Sequence, residues 1–90
     1  MSDLICDKKE RGYECIYWDK KRGEFQRFED IESIEIRTNR LYTIMARKES
    51  GFYSESVRGR PRTITTYDYE HIYISGDFGC EPKGRILVCR

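Results

Sequence analysis

The sequence predicts an all-β fold: a small barrel or sandwich of about seven short, mainly antiparallel strands, with at most one short helical turn. Three observations carry this. Apolar and polar residues alternate with period two over most of the chain, while helical periodicity is nearly absent. Turn-forming residues recur at short intervals. The runs between them are rich in β-branched and aromatic side chains, which suit a pleated surface.

The first clear strand alternates Tyr13, Cys15 and Tyr17 with Glu14, Ile16 and Trp18. Asp19-Lys20-Lys21-Arg22-Gly23 turns the chain, and Glu24 to Phe28 reads as the returning strand. Phe28 to Glu32 is where a helical turn would sit. Ile34 and Ile36 share a face, and Thr38-Asn39-Arg40 is a second turn, Asn being tolerant of left-handed backbone. Leu41 to Arg47 follows with Tyr42, Ile44 and Ala46 on one side. Phe52 to Val57 and Arg62 to Tyr69 read as two more strands joined by Arg58-Gly59-Arg60-Pro61 in a hairpin loop. His71 to Ser75 continues the β signal, Ser75 to Gly79 is a loop, and Arg85 to Cys89 is the last strand.

Ninety residues make one domain with one modest core. The aromatic share of 13% argues against disorder, which goes with too little apolar mass to offset chain entropy. With 17 basic and 16 acidic residues, the net charge is +1. Global charge therefore does not mark the chain for nucleic acid, and any such surface must arise from local segregation. No leader-like start and no run of about 20 apolar residues is visible, so a cytoplasmic setting without membrane contact is expected.

Cys6 and Cys15 have the same separation as Cys80 and Cys89, and each pair brackets turn-like residues. If each bracket is a hairpin, the two cysteines of a pair face each other across it. Three readings stay open, in this order: buried reduced thiols acting as small apolar residues, cross-strand or end-to-end disulfides, and a four-cysteine zinc site. The spacing exceeds the two to four residues usual for structural zinc, so no metal is assigned.

Arg58-Gly59-Arg60-Pro61 is the most specific short feature. Over these four positions it resembles the core of the AT-hook, a minor-groove DNA-binding motif. The resemblance implies that Arg58 and Arg60 extend along a narrow, electronegative groove while Gly59 lets the backbone lie close to its floor. Arg62, Arg47, Lys48 and the Lys20-Lys21-Arg22 turn extend this basic surface if the fold brings them together. Arg58 and Arg62 also have the Arg-x-x-x-Arg spacing of the PilZ phosphate clamp, which in that family holds cyclic di-GMP. The downstream segment from Tyr73 to Phe78 departs from the family pattern. Ile31 to Ile36, Ile74 to Gly79 and Arg85 to Val88 faintly resemble the amino-terminal β-sandwich of rotary ATPase epsilon subunits, which implies a sandwich.

The aromatic residues exceed what so small a core can hide. Tyr53, Tyr67, Tyr69 and Tyr73 are candidates for base stacking or for a protein interface. His71 stands alone, and no nucleophile–base pair, phosphate loop or paired-histidine motif is present. The expectation is a non-catalytic module without cofactor. It contacts nucleic acid through Arg58, Gly59, Arg60 and Arg62 with nearby aromatics, or it is a protein-interaction, inhibitor or phage-type accessory module using a Tyr-rich face or an edge strand.

Overall fold

The computed structural model describes residues 2–90. Every described strand runs opposite to the one before it. They are β1 (Ser2–Lys9), β2 (Gly12–Asp19), β3 (Glu24–Ile31), β4 (Ser33–Ile36), β5 (Leu41–Lys48), β6 (Gly51–Arg58), β7 (Arg62–Thr65), β8 (His71–Gly76), β9 (Cys80–Lys83) and β10 (Ile86–Cys89). No helix occurs among the described residues. Two sheets result. One has the order β3-β2-β1-β8-β5-β6 and the other β7-β4-β10-β9, with only β4 and β10 parallel.

The alternation read in the sequence sets which side chains are buried. Directly opposed residues share a face, so Tyr17, Leu4, Ile74 and Ile44 form one inward row, and Cys15, Cys6, Ile72 and Ala46 the next. The smaller sheet supplies Ile34, Ile36, Ile64 and Leu87 to the same core. All are 2% exposed or less, and each large apolar side chain so buried contributes about 1.5–3 kcal/mol.

The chain leaves the large sheet for the small one at Asp30, whose φ of 57° lies in the left-handed region. A bulge in the β2–β3 ladder between Tyr13 and Cys15 accompanies the bend, as bulges do where strands turn corners. Gly12 sits against it with φ of 127°. A Cβ there would lie 2.6 Å from the Ile31 carbonyl oxygen, so the β1–β2 turn admits only glycine at this point.

Four expectations change. Ser2–Lys9 is a full strand, hidden in the sequence because Ile5 points outward and three charged residues follow Cys6. Phe28 to Ile31 is strand, so no helical turn forms there. The strand from Arg62 stops at Thr65, where Asp68 Oδ2 accepts from the Thr65 N–H at 2.7 Å and bends the chain into a turn. Both cysteine brackets are hairpins, and their cysteines are paired rather than free. Cys6 and Cys15 are direct partners in the ladder with Cα atoms 4.1 Å apart, and Cys80 and Cys89 likewise at 4.0 Å. The two disulfides lie in different sheets, so the four sulfurs do not converge on one metal position.

Candidate basic loop site

Because the strands alternate in direction, alternate connections fall at the same end of the sandwich. Residues 20–23, 37–40, 59–61 and 77–79 and the final Arg90 therefore share one end. This end carries Lys20, Lys21, Arg22, Arg37, Arg40, Arg60 and Arg90 with Arg58 closing β6, and Asp77 is the only acid in its connections, with Asp19 closing β2 and Glu24 opening β3. The other end carries Glu10, Glu32, Glu49, Asp68 and Glu70 in its connections, beside Arg11 and Arg85, with Lys8, Lys9, Arg47, Lys48 and Lys83 at the strand ends that reach it. In a nearly neutral chain the connections at one end are thus basic and those at the other acidic.

Backbone hydrogen bonds fix the loops to one another. The Arg37 N–H donates to the Cys89 carbonyl at 2.7 Å, and Gly79 and Arg90 exchange bonds at 2.8 and 2.9 Å. Thr38 Oγ1 donates to the Asp77 carbonyl at 3.3 Å and accepts from the Arg40 N–H at 3.2 Å. In the first loop, Asp19 Oδ1 accepts from the N–H groups of Lys21 and Arg22, at 3.0 and 3.3 Å, which holds the turn closed. The charges are thus mounted on a pre-shaped surface.

Between the loops lies an open cleft of about 440 Å³ lined by Lys21, Arg22, Arg40 and Arg90 with Asp19 and Asp77. The Tyr17 hydroxyl lies at its floor, donating to the Phe78 carbonyl at 3.0 Å. Arg40 is paired with Asp77, Arg22 with Asp19, Lys20 with Asp3 and Arg37 with Glu35. Lys21, Arg58, Arg60 and Arg90 have no ion-pair partner among the described residues. Of these, Lys21 and Arg90 line the cleft, and Arg58 and Arg60 lie outside it.

The four residues read in the sequence as one arginine loop divide. Arg58 ends β6 opposite Leu41, and Arg60 lies in the connection, both exposed. That connection passes between the two sheets instead of closing a hairpin, because β6 pairs with β5 and β7 with β4. It is also anchored: the buried Tyr42 hydroxyl donates to the Arg60 carbonyl at 2.9 Å, and Gly59 has φ of 66°. Burial pushes the Tyr42 phenol up, and the nearby Arg62 guanidinium offsets part of this. Arg62 points elsewhere. Its guanidinium donates to Glu55 Oε2 at 2.8 Å and to the Tyr53 hydroxyl at 2.9 Å, clamping β7 to the edge of β6.

Of the candidate tyrosines only Tyr53 meets one of these arginines, Arg62, and none joins Arg58 or Arg60. Tyr53 and Tyr69 stack at 6.1 Å and pack on the core. Tyr67 is 83% exposed but stands at the opposite end. Tyr73 lies on the outer face of the large sheet, its hydroxyl donating to Asp3 Oδ1 at 3.1 Å; burial and that carboxylate push its phenol up. Arg47 and Lys48 are likewise at the far end, so only the Lys20-Lys21-Arg22 turn extends the basic surface as expected. The sequence reading missed Arg37, Arg40 and Arg90. The available signal was the parity of the turns.

Comparison with protein-family models, with curated proteins and with solved structures gave no match to this chain.

Proposed function

We propose that this chain is a non-catalytic binding module that holds the sugar–phosphate backbone of a nucleic acid against its basic loop end. The observation that carries the reading is the convergence of seven basic side chains from the connections, with Arg58 at the end of β6, on one end of a protein whose net charge is only +1. Lys21, Arg58, Arg60 and Arg90 would make the phosphate contacts, since their charges are not already spent on carboxylates. The anchored backbone at Arg60 supports contact from a fixed corner more than threading of a flexible segment along a groove. The dispersed tyrosines offer this surface no stacking platform, and the aromatic pair beside it is Trp18 with the exposed Phe25, next to the Lys20–Gly23 turn.

The test is fluorescence anisotropy with duplex and single-stranded oligonucleotides over a salt series. Arg58→Ala/Arg60→Ala should lower the slope of log K against log salt by about two, one per lost phosphate contact. Arg62→Ala, which breaks the clamp on β6, should leave that slope unchanged while costing about 1 kcal/mol of stability in denaturant unfolding. No salt-sensitive binding to any oligonucleotide at low ionic strength would sink the reading.

A further inference from the structure

The outer face of the six-stranded sheet is covered by nothing in the fold, yet it is not a uniformly polar surface. The ladder register places Ile16, Ile5, Tyr73 and Met45 side by side across four adjacent strands, β2-β1-β8-β5. These side chains are between 39 and 44% exposed. Four neighbouring apolar residues on adjacent strands make a continuous stripe, which differs from the scattered single apolar residues usual on surfaces.

The next row along the same strands carries charge in an ordered sequence. Glu14, Asp7, His71 and Arg47 are successive ladder partners on β2, β1, β8 and β5. Acids occupy the two strands on one side of the β1–β8 midline, and bases the two strands on the other. A twofold axis lying in the interface along that midline reverses the strand order and preserves the row. It sets Glu14 opposite the Arg47 of a second copy, Asp7 opposite its His71, and Ile5 opposite its Tyr73. Such a surface is complementary to itself, which is the requirement of an isologous interface. A different partner would need only complementarity to the row, with no reason for the row to be antisymmetric about its own midline.

Size agrees. The Cα atoms extend over 32 × 25 × 19 Å, so the broad face is on the scale of the roughly 800 Å² that each partner of a standard interface buries. Within one copy the row is only partly satisfied. His71 Nδ1 lies 2.5 Å from Asp7 Oδ1, and Glu14 is paired with Arg27 at 3.0 Å. Arg47 has no acidic partner among the described residues.

We infer that this chain forms a symmetric dimer through the outer face of its six-stranded sheet, with the apolar stripe at the centre and Glu14 meeting the Arg47 of the second copy. The inference is independent of the nucleic-acid reading, because the face and the basic end share none of these residues.

Sedimentation velocity across a concentration series tests it on the full chain. Wild type should show a concentration-dependent dimer. Glu14→Arg and Arg47→Glu should each weaken it about tenfold or more, since each sets like charges opposite one another. Mixing the two single variants should restore dimer, because both facing pairs of positions 14 and 47 are then opposite in sign, and the double variant should restore it alone. Ile5→Lys should abolish it, with circular dichroism showing that each variant keeps its strands. A wild type that stays monomeric throughout, or a dimer that both single variants retain, would overturn the inference.

Discussion

At the residue scale, the side chain with the most demanding placement is Tyr13. It is fully buried, and its single hydroxyl proton is shared between the Thr65 and Tyr69 carbonyls at 2.8 and 2.7 Å. Those carbonyls belong to the last residue of β7 and to the turn that follows it, so one phenol on β2 ties the end of the small sheet to the large one. Burial pushes this phenol up to about 12 from its ordinary value of 10.0. The folded state thus keeps a proton that the unfolded chain releases near pH 10. Stability from this group is complete below that point and falls as pH rises through it toward 12. Denaturant unfolding at stepped pH should show a plateau near neutrality and a decline in this window, amounting to about 2–3 kcal/mol if Tyr13 dominates. Tyr13→Phe should lose about 1–2 kcal/mol near neutral pH and show a shallower alkaline decline. A decline of equal depth in both proteins would assign it to another group. Much of this site was legible only as pattern. Alternation marked Tyr13 as an inward strand residue, but its two acceptors lie more than fifty positions away in sequence. Period two says which face a residue takes and nothing of what lies opposite.

At the scale of elements, hairpins and their partners differ in how plainly the sequence announces them. Leu41 to Arg47 alternates cleanly because one side of β5 meets the core and the other meets solvent, and the structure keeps that division. β1 does not announce itself, since Ile5 belongs to the outer stripe and interrupts the alternation with an exposed apolar residue. The cysteine brackets were readable as hairpins from their turns, whereas the bonding of the sulfurs needed the register that only the ladder supplies. In that register each disulfide closes a short hairpin at directly opposed positions. The chain-entropy model gives about 2.5–3 kcal/mol for a loop of this size. Unfolding in reductant should therefore shift to lower denaturant by an amount matching about 5–6 kcal/mol for both bonds. Pairwise replacement by alanine at Cys6 and Cys15 alone should give about half. Intact mass without reductant should lie below the reduced mass by one hydrogen per cysteine. Disulfides persist in oxidising compartments, so a fully reduced chain as isolated, equally stable with and without reductant, would return the four residues to the role of small buried thiols.

At the scale of the molecule, the two surfaces act on the same axis. The inferred twofold runs along the strands, so it carries the basic end of one copy to the same side as the basic end of the other. Four unpaired cations become eight facing one direction, and a polyanion long enough to cross both ends is held at two points. Linking two weak contacts makes the second intramolecular, and avidity rises without any new contact. This turns the basic end into a length-sensitive device. A short oligonucleotide that reaches only one end should bind the wild type and the dimer-deficient Ile5→Lys variant equally. A longer one should bind the wild type more tightly, by a factor of ten or more at linker-type effective concentrations of about 1 mM, and should show nearly twice the salt slope. The gain should vanish in Ile5→Lys and return in the mixture of Glu14→Arg with Arg47→Glu, where the facing charges are again opposite. Length dependence that survives in Ile5→Lys would mean that single copies line up side by side along the strand, with the basic ends acting independently of the sheet face.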